Sequence, residues 1–182
     1  MIKNKVCSVE IAGSLDNRIR RFLQNPKKIL TPYIKEGMTV LDLGCGPGFF
    51  TIEIARLTGN SGKVIATDLQ EGMLRIVKDK IKDTPLEQII FAHKCEEKKI
   101  GLNESVDFVF AFYFIHEVPD QDALFKEIYS ILKPGGEMLI VEPPLHVSKS
   151  GFKNMLIKIK SAGFSIVSEP KLFMNKAVLI KK

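Results

Sequence analysis

The sequence predicts an α/β sandwich, a mostly parallel sheet of seven strands with helices on both faces. Three observations carry this. Short apolar runs of strand length alternate with stretches whose apolar residues recur at helical spacing. The first run ends in the alternate glycines Gly44, Gly46 and Gly48, the punctuation of a strand turning into a helix. The last two runs have no helix between them, so they pair antiparallel, whereas strands separated by a helix pair parallel.

The elements follow in order. Leu15, Ile19, Phe22 and Leu23 make an apolar stripe, and Asn25-Pro26 reads as a helix N-cap and first helical position. Residues 1–35 are expected to form a helical segment ahead of the repeating unit, either a lid over the site or packing on the sheet. Val40-Leu41-Asp42-Leu43 is a buried strand, and Phe50 to Leu57 a helix closed by Gly59. Lys63 to Thr67 is the second strand. Met73, Leu74, Val77 and Ile81 mark the next helix, Gln88 to Ala92 a third strand, and Val106 to Phe112 a fourth. Leu124, Ile128, Ile131 and Leu132 share a helix face that Pro134, Gly135 and Gly136 terminate. Met138 to Val141 is the fifth strand, and Lys153 to Ala162 a helix capped by Gly163. Phe164 to Val167 and about Phe173 to Ile180 are the last strands, joined near Glu169-Pro170-Lys171. No repeat or linker interrupts this pattern, so residues 1–182 read as one domain with its core over 36–182.

A chain of 182 residues, 45% apolar and 26% charged, has the balance of a soluble globular domain. It has no apolar run of membrane-spanning length, and Met1-Ile2-Lys3-Asn4-Lys5 is not a signal peptide, so a cytoplasmic location is expected. Cys7, Cys45 and Cys95 are too scattered for a disulfide framework and read as reduced thiols. The net charge of +6 admits an acidic partner such as RNA, but the lysines behind it are spread along the chain as solvated helix faces.

Asp42-Leu43-Gly44-Cys45-Gly46-Pro47-Gly48 carries the chemistry. Glycines let the backbone approach a ligand, and a helix start favours negative charge. No Gly-Lys-Ser/Thr follows, so this is not a phosphate loop, and Phe49 stands where a dinucleotide fingerprint has its third glycine. Asp42, two residues before the first glycine, repels a pyrophosphate and suits an ammonium group. Asp68, 26 positions on at the end of the second strand, can accept hydrogen bonds from a ribose diol. A ligand with a carboxylate for the helix end, an ammonium for Asp42 and a ribose for Asp68 is an amino acid joined to a nucleoside, which describes S-adenosylmethionine.

At these positions the chain resembles the class I S-adenosylmethionine-dependent methyltransferases. Val40 to Gly48 matches their first motif, Val64-Ile65-Ala66-Thr67-Asp68 their second, and Leu132-Lys133-Pro134-Gly135-Gly136-Glu137-Met138-Leu139-Ile140 their late turn and strand, over roughly residues 36 to 182. The resemblance implies a Rossmann-like three-layer sandwich whose last strand runs antiparallel, inserted between two others. It implies that Asp42 and the turn Gly44, Cys45, Gly46 and Gly48 hold the methionine part, and that Asp68 holds the ribose with Leu69 and Met73 near the adenine. The family often places an acidic residue after the third strand. Cys95 stands there instead, with Glu96 beside it, and both are expected in the pocket.

The sulfonium is already an activated donor, so the protein need only orient the acceptor, exclude water and take a proton where there is one. The acceptor pocket is expected beyond the fourth and fifth strands, at Phe112-Tyr113-Phe114-Ile115-His116-Glu117 and Glu142-Pro143-Pro144. Phe112 belongs to the cofactor wall, Tyr113 and Phe114 to an aromatic wall beside the sulfonium, and His116 or Glu142 is a candidate general base. Glu142-Pro143-Pro144-Leu145 occupies the place of the Asn-Pro-Pro-Tyr motif of amide and adenine methyltransferases, which favours a small-molecule acceptor. An RNA methyltransferase and a nonenzymatic cofactor-binding protein are the alternatives. Arg18 and Arg21 share a helix face and can meet an anion. His93 and Cys95 lack a second pair, and no metal site is expected.

Overall fold

The computed structural model describes residues 24–172 and 174–182. The stripe from Leu15 to Leu23, Arg18, Arg21, Cys7 and Phe173 lie outside them. Seven strands form one sheet in the order β3-β2-β1-β4-β5-β7-β6. They are β1 (Thr39–Leu43), β2 (Lys63–Asp68), β3 (Ile90–Lys94), β4 (Val106–Phe112), β5 (Leu132–Glu142), β6 (Ser165–Ser168) and β7 (Lys176–Lys181). The helices are α1 (Pro26–Leu30), α2 (Thr51–Thr58), α3 (Glu71–Ile81), α4 (Gln121–Ile131) and α5 (Lys149–Ser161). β1 to β5 pair parallel, and β7 runs antiparallel between β5 and β6.

The central strands are mostly apolar because both faces are covered, with Asp42, Thr67 and Asp68 as buried polar residues near their C-terminal ends. Alternation along β4 divides the core: Phe108 and Phe110 join Leu74 and Val77 of α3, while Val109 and Ala111 join Phe125 and Ile128 of α4. Truncating Phe110, which is fully buried, removes about 3–5 kcal/mol of stability. The sheet order reverses between β1 and β4, and at such a switch point the strand ends leave a crevice.

Asn25 caps α1 as expected, its side chain accepting from Lys28 N–H at 3.2 Å. Ile29, Leu30 and Ile34 are buried in the core, so the described end of the N-terminal segment packs against the sheet.

Several boundaries move, each for a local reason. β3 starts at Ile90, two residues later than expected, because Pro85–Gln88 forms a 3₁₀ turn capped by Thr84. Leu132 is already extended (φ −74°, ψ 130°), so α4 stops at Ile131 and β5 begins there, its register with β4 shifting across the Pro134-Gly135-Gly136 segment. α5 begins at Lys149, where Ser148 accepts from Gly151 N–H at 3.0 Å. β7 begins only at Lys176, because Asn175 folds back, its N–H donating to Leu172 C=O at 2.7 Å.

Candidate functional site

A cavity of about 510 Å³ opens at the C-terminal ends of β1, β2, β4 and β5. It is lined by Asp42, Gly44, Cys45, Gly46, Asp68, Leu69, Met73, Cys95, Glu96, Phe112, Tyr113 and His116, residues expected from the sequence. Gly48 is the exception. It has φ +84°, a Cβ there would lie 3.1 Å from Val77 Cγ2, and its N–H donates to Cys45 C=O at 3.1 Å. Gly48 shapes the turn and lets α3 pack close, away from the cavity.

The turn is held by its own hydrogen bonds. Gly44 and Cys45 N–H both donate to Thr67 C=O at 2.9 and 2.8 Å, tying the turn to the end of β2. Gly46 N–H donates to Asp68 Oδ2 at 3.0 Å, and Lys80 of α3 donates to Pro47 C=O at 2.7 Å. These amides, which the sequence offers to a ligand carboxylate, are engaged within the protein. A Cβ on Gly46 (φ +52°) would meet nothing within 4 Å, so the turn leaves open space on that side for a ligand. A Cβ on Gly44 would lie 2.2 Å from Phe114 Cδ2. That glycine is required for the ring to reach its place.

Asp42 is buried and accepts from Thr51 Oγ1 at 2.6 Å. Burial lifts its pKa to about 7; the Thr51 hydrogen bond opposes this and Asp68 adds to it. Asp68 is also raised by burial, against the pull of the Gln70, Gly46 and Leu69 amides. Gln70 N–H donates to Asp68 Oδ1 at 2.8 Å, so each oxygen holds one amide and keeps acceptor capacity for a ligand. Cys45 and Cys95 are free, buried thiols. Burial, together with the nearby aspartates, pushes Cys45 well up and Cys95 to about 11, so both stay protonated near neutral pH. Among the described residues no group of three metal-ligating side chains comes together.

The opposite wall is aromatic. Phe50 packs on Phe112 with ring centroids 4.4 Å apart, and Phe112 on Tyr113 at 4.2 Å. Tyr113 has φ +60°, an uncommon and strained conformation for a bulky residue. Its N–H donates to Val141 C=O at 2.7 Å, and its hydroxyl accepts from Gln24 Nε2 at 2.8 Å and donates to Asn175 Oδ1 at 2.6 Å. His116 lies in the 3₁₀ turn Ile115–Glu117, with Nδ1 2.5 Å from Glu142 Oε2.

Glu117 lines the cavity within the segment expected for the acceptor pocket, and sequence reasoning missed Glu97 and His146 on the lining and the Thr51 partner of Asp42. Glu97 is within reach of the rule that found Glu96, since both follow the third strand. His146 lies on the loop after β5, where no spacing rule points. The charge of the lining is also a structural result. Five carboxylates line the cavity, and among the described residues no Lys or Arg does, although the chain carries a net +6. The site attracts a cation and offers no counter-charge to a diphosphate.

The family model described as a methyltransferase domain matches residues 34–171. The demethylmenaquinone methyltransferase of Lactococcus lactis is 36% identical over 120 residues, 64% of this chain and 48% of that protein. The ubiquinone/menaquinone biosynthesis C-methyltransferase UbiE of Escherichia coli is 30% identical over 110 residues, 60% of this chain and 44% of that protein. The chain thus spans about half the length of the curated relatives it matches. The crystal structure of a SAM dependent methyltransferase from Aquifex aeolicus superposes with a TM-score of 0.87 at 27% identity, covering 97% of this chain and 99% of that one.

Proposed function

This chain belongs to the methyltransferase-domain family, and from that premise we propose that its cavity binds S-adenosylmethionine and transfers the methyl group to a small-molecule acceptor. The observation that carries the reading is the acidic lining with no Lys or Arg among the described residues, since this cosubstrate is a cation with an ammonium, a sulfonium and no phosphate. The residues fit it. Asp42, ionised, meets the ammonium. Asp68 accepts from the ribose hydroxyls with its remaining lone pairs, Leu69 and Met73 cover the adenine, and Glu96 is its acidic neighbour together with Glu97. The open space beside Gly46 leaves room for the ligand to approach the turn.

When bound, the sulfonium supplies an activated methyl group. The chain's own residues do the rest. Phe112, Tyr113 and Phe114 exclude water and offer their rings to the sulfonium charge. Tyr113 is held by Gln24 and Asn175, so it fixes the wall. The acceptor lies at the end of the cavity that His116, Val118 and Pro143 line. The names of the relatives at 30–36% identity support an aromatic, quinone-type acceptor, and reduced demethylmenaquinone is the first one to assay.

The test supplies labelled S-adenosylmethionine with reduced demethylmenaquinone, with a protein-free metabolite extract and with RNA. Label is expected in a small molecule. Label entering RNA alone would overturn the reading, and an acidic cavity makes that outcome electrostatically unfavourable.

A further inference from the structure

His116 and Glu142 meet at the acceptor end of the cavity from positions 26 residues apart. Glu142 closes β5 and has no exposed surface. One of its oxygens accepts from Ile115 N–H at 2.9 Å and the other faces His116 Nδ1 at 2.5 Å. An ionised carboxylate can only accept, so the proton between them sits on Nδ1, and the lone pair of a neutral ring is then on Nε2. The ring lines the cavity and its side chain keeps 20% of its surface exposed. A fully buried acid whose two oxygens each hold one donor, one on the backbone and one on a ring at the site, orients that ring.

We propose, resting on the methyltransferase reading above, that His116 Nε2 accepts the proton released in methyl transfer and that Glu142 is its positioning residue. The acceptor therefore carries a hydroxyl conjugated to, or identical with, the attacking atom. The hydroxyl proton passes to Nε2. The electron pair left on oxygen, or conjugated onto the neighbouring carbon, forms the bond to the methyl carbon. The sulfur–methyl bond breaks with its pair going to sulfur, and the sulfonium becomes a neutral thioether. If carbon attacks, that carbon then sheds its own proton and the oxygen regains one, so one proton leaves in either case.

The titratable neighbours are Glu142 from β5, Glu117 from the same short turn, and His146, whose ring centroid is 5.7 Å away on the loop after β5. Burial pulls the His116 pKa down, but the hydrogen bond and charge of Glu142, with Glu117 behind them, outweigh it and hold the ring above its ordinary value. Below that pKa both ring nitrogens are protonated and no base remains. At saturating S-adenosylmethionine, kcat/KM for the acceptor is expected to rise with pH through a midpoint above about 6.5.

Two isosteric variants test this. Glu142→Gln keeps a carbonyl for Ile115 N–H but offers an amide donor to Nδ1, which moves the ring proton onto Nε2. His116→Asn removes the base. Both are expected to lower kcat by about 100-fold with reduced demethylmenaquinone or simple phenols, and the second to abolish the acid limb, while affinity for S-adenosylmethionine stays unchanged. Glu142→Asp should recover part of the rate. Nitrogen-15 NMR of His116 provides a readout without an acceptor: Nδ1–H in the parent and Nε2–H in Glu142→Gln. Wild-type rates in both variants, an Nε2–H ring in the parent, or turnover confined to acceptors without a hydroxyl would each overturn the inference while the methyltransferase reading stands. Failure to bind S-adenosylmethionine would remove that reading, and this inference with it.

Discussion

The wall of the cavity formed by β1 and β2 presents backbone and two short carboxylates, whereas the wall formed by β4 and β5 presents aromatic rings and a histidine held by a buried glutamate. The first wall is assembled within about one turn of chain at each strand end. Gly44, Cys45 and Gly46 bond to Thr67 and Asp68 at the neighbouring strand end, and Thr51 holds Asp42 from the helix that follows the turn. The second wall depends on distant partners. Tyr113 reaches Gln24 and Asn175, and His116 reaches Glu142. A locally closed wall suits a constant ligand, and one built from separate side chains can be altered piece by piece to suit different acceptors.

The largest effect is expected where the two walls touch. Gly44→Ala places a methyl 2.2 Å from the Phe114 ring at φ +74°, and costs about 2 kcal/mol or more through overpacking and strain. It should weaken cofactor binding and acceptor KM together, measured by calorimetry and steady-state kinetics. A change in only one of them would mean that the walls are independent. Next comes Asp68→Ala, which removes the ribose acceptor and releases Gly46 and Gln70. Affinity for S-adenosylmethionine should fall by about 100-fold, on the scale of charge-assisted hydrogen bonds. An unchanged affinity would refute the ribose role.

A pH dependence separates the walls further. With a native pKa of about 7 against about 3.9 unfolded, Asp42 keeps a proton that the unfolded chain loses. Its contribution to the stability of the ligand-free protein therefore falls as pH rises from about 4 to 7 and is level above. An ammonium group favours the ionised form, so cofactor affinity should rise about tenfold per unit approaching pH 7 and then flatten, as titrations from pH 5.5 to 8.5 would report. The smallest effect is expected for Tyr113→Phe. Losing the link between Gln24 and Asn175 should cost about 1 kcal/mol in thermal unfolding and leave cofactor affinity unaltered.

The same contrast governs what the sequence discloses. The strand-and-helix alternation, the antiparallel pairing of the last two strands and the glycine turn were legible because each rests on periodicity or on residues a few positions apart, whereas the insertion of the last strand between two others was implied by the family resemblance. The β5 start at Leu132 was not, because a Pro-Gly-Gly segment that ends a helix in sequence lies inside a strand with shifted register. The packing of Gly48 against Val77 was not legible, because spacing does not distinguish a glycine that faces a ligand from one that lets a side chain approach. Glu142 and His116 were each visible as candidate bases. Their contact was not, since it follows from β5 lying beside β4 in the sheet.

The central claim is that the crevice above β1 and β2 takes a cationic amino acid carried on a nucleoside. Isothermal calorimetry with S-adenosylmethionine, its demethylated product and NAD tests it most directly. The account predicts binding of the first two on the order of −8 kcal/mol, in the micromolar range, and no heat with NAD. Tight binding of NAD with none of S-adenosylmethionine would contradict it.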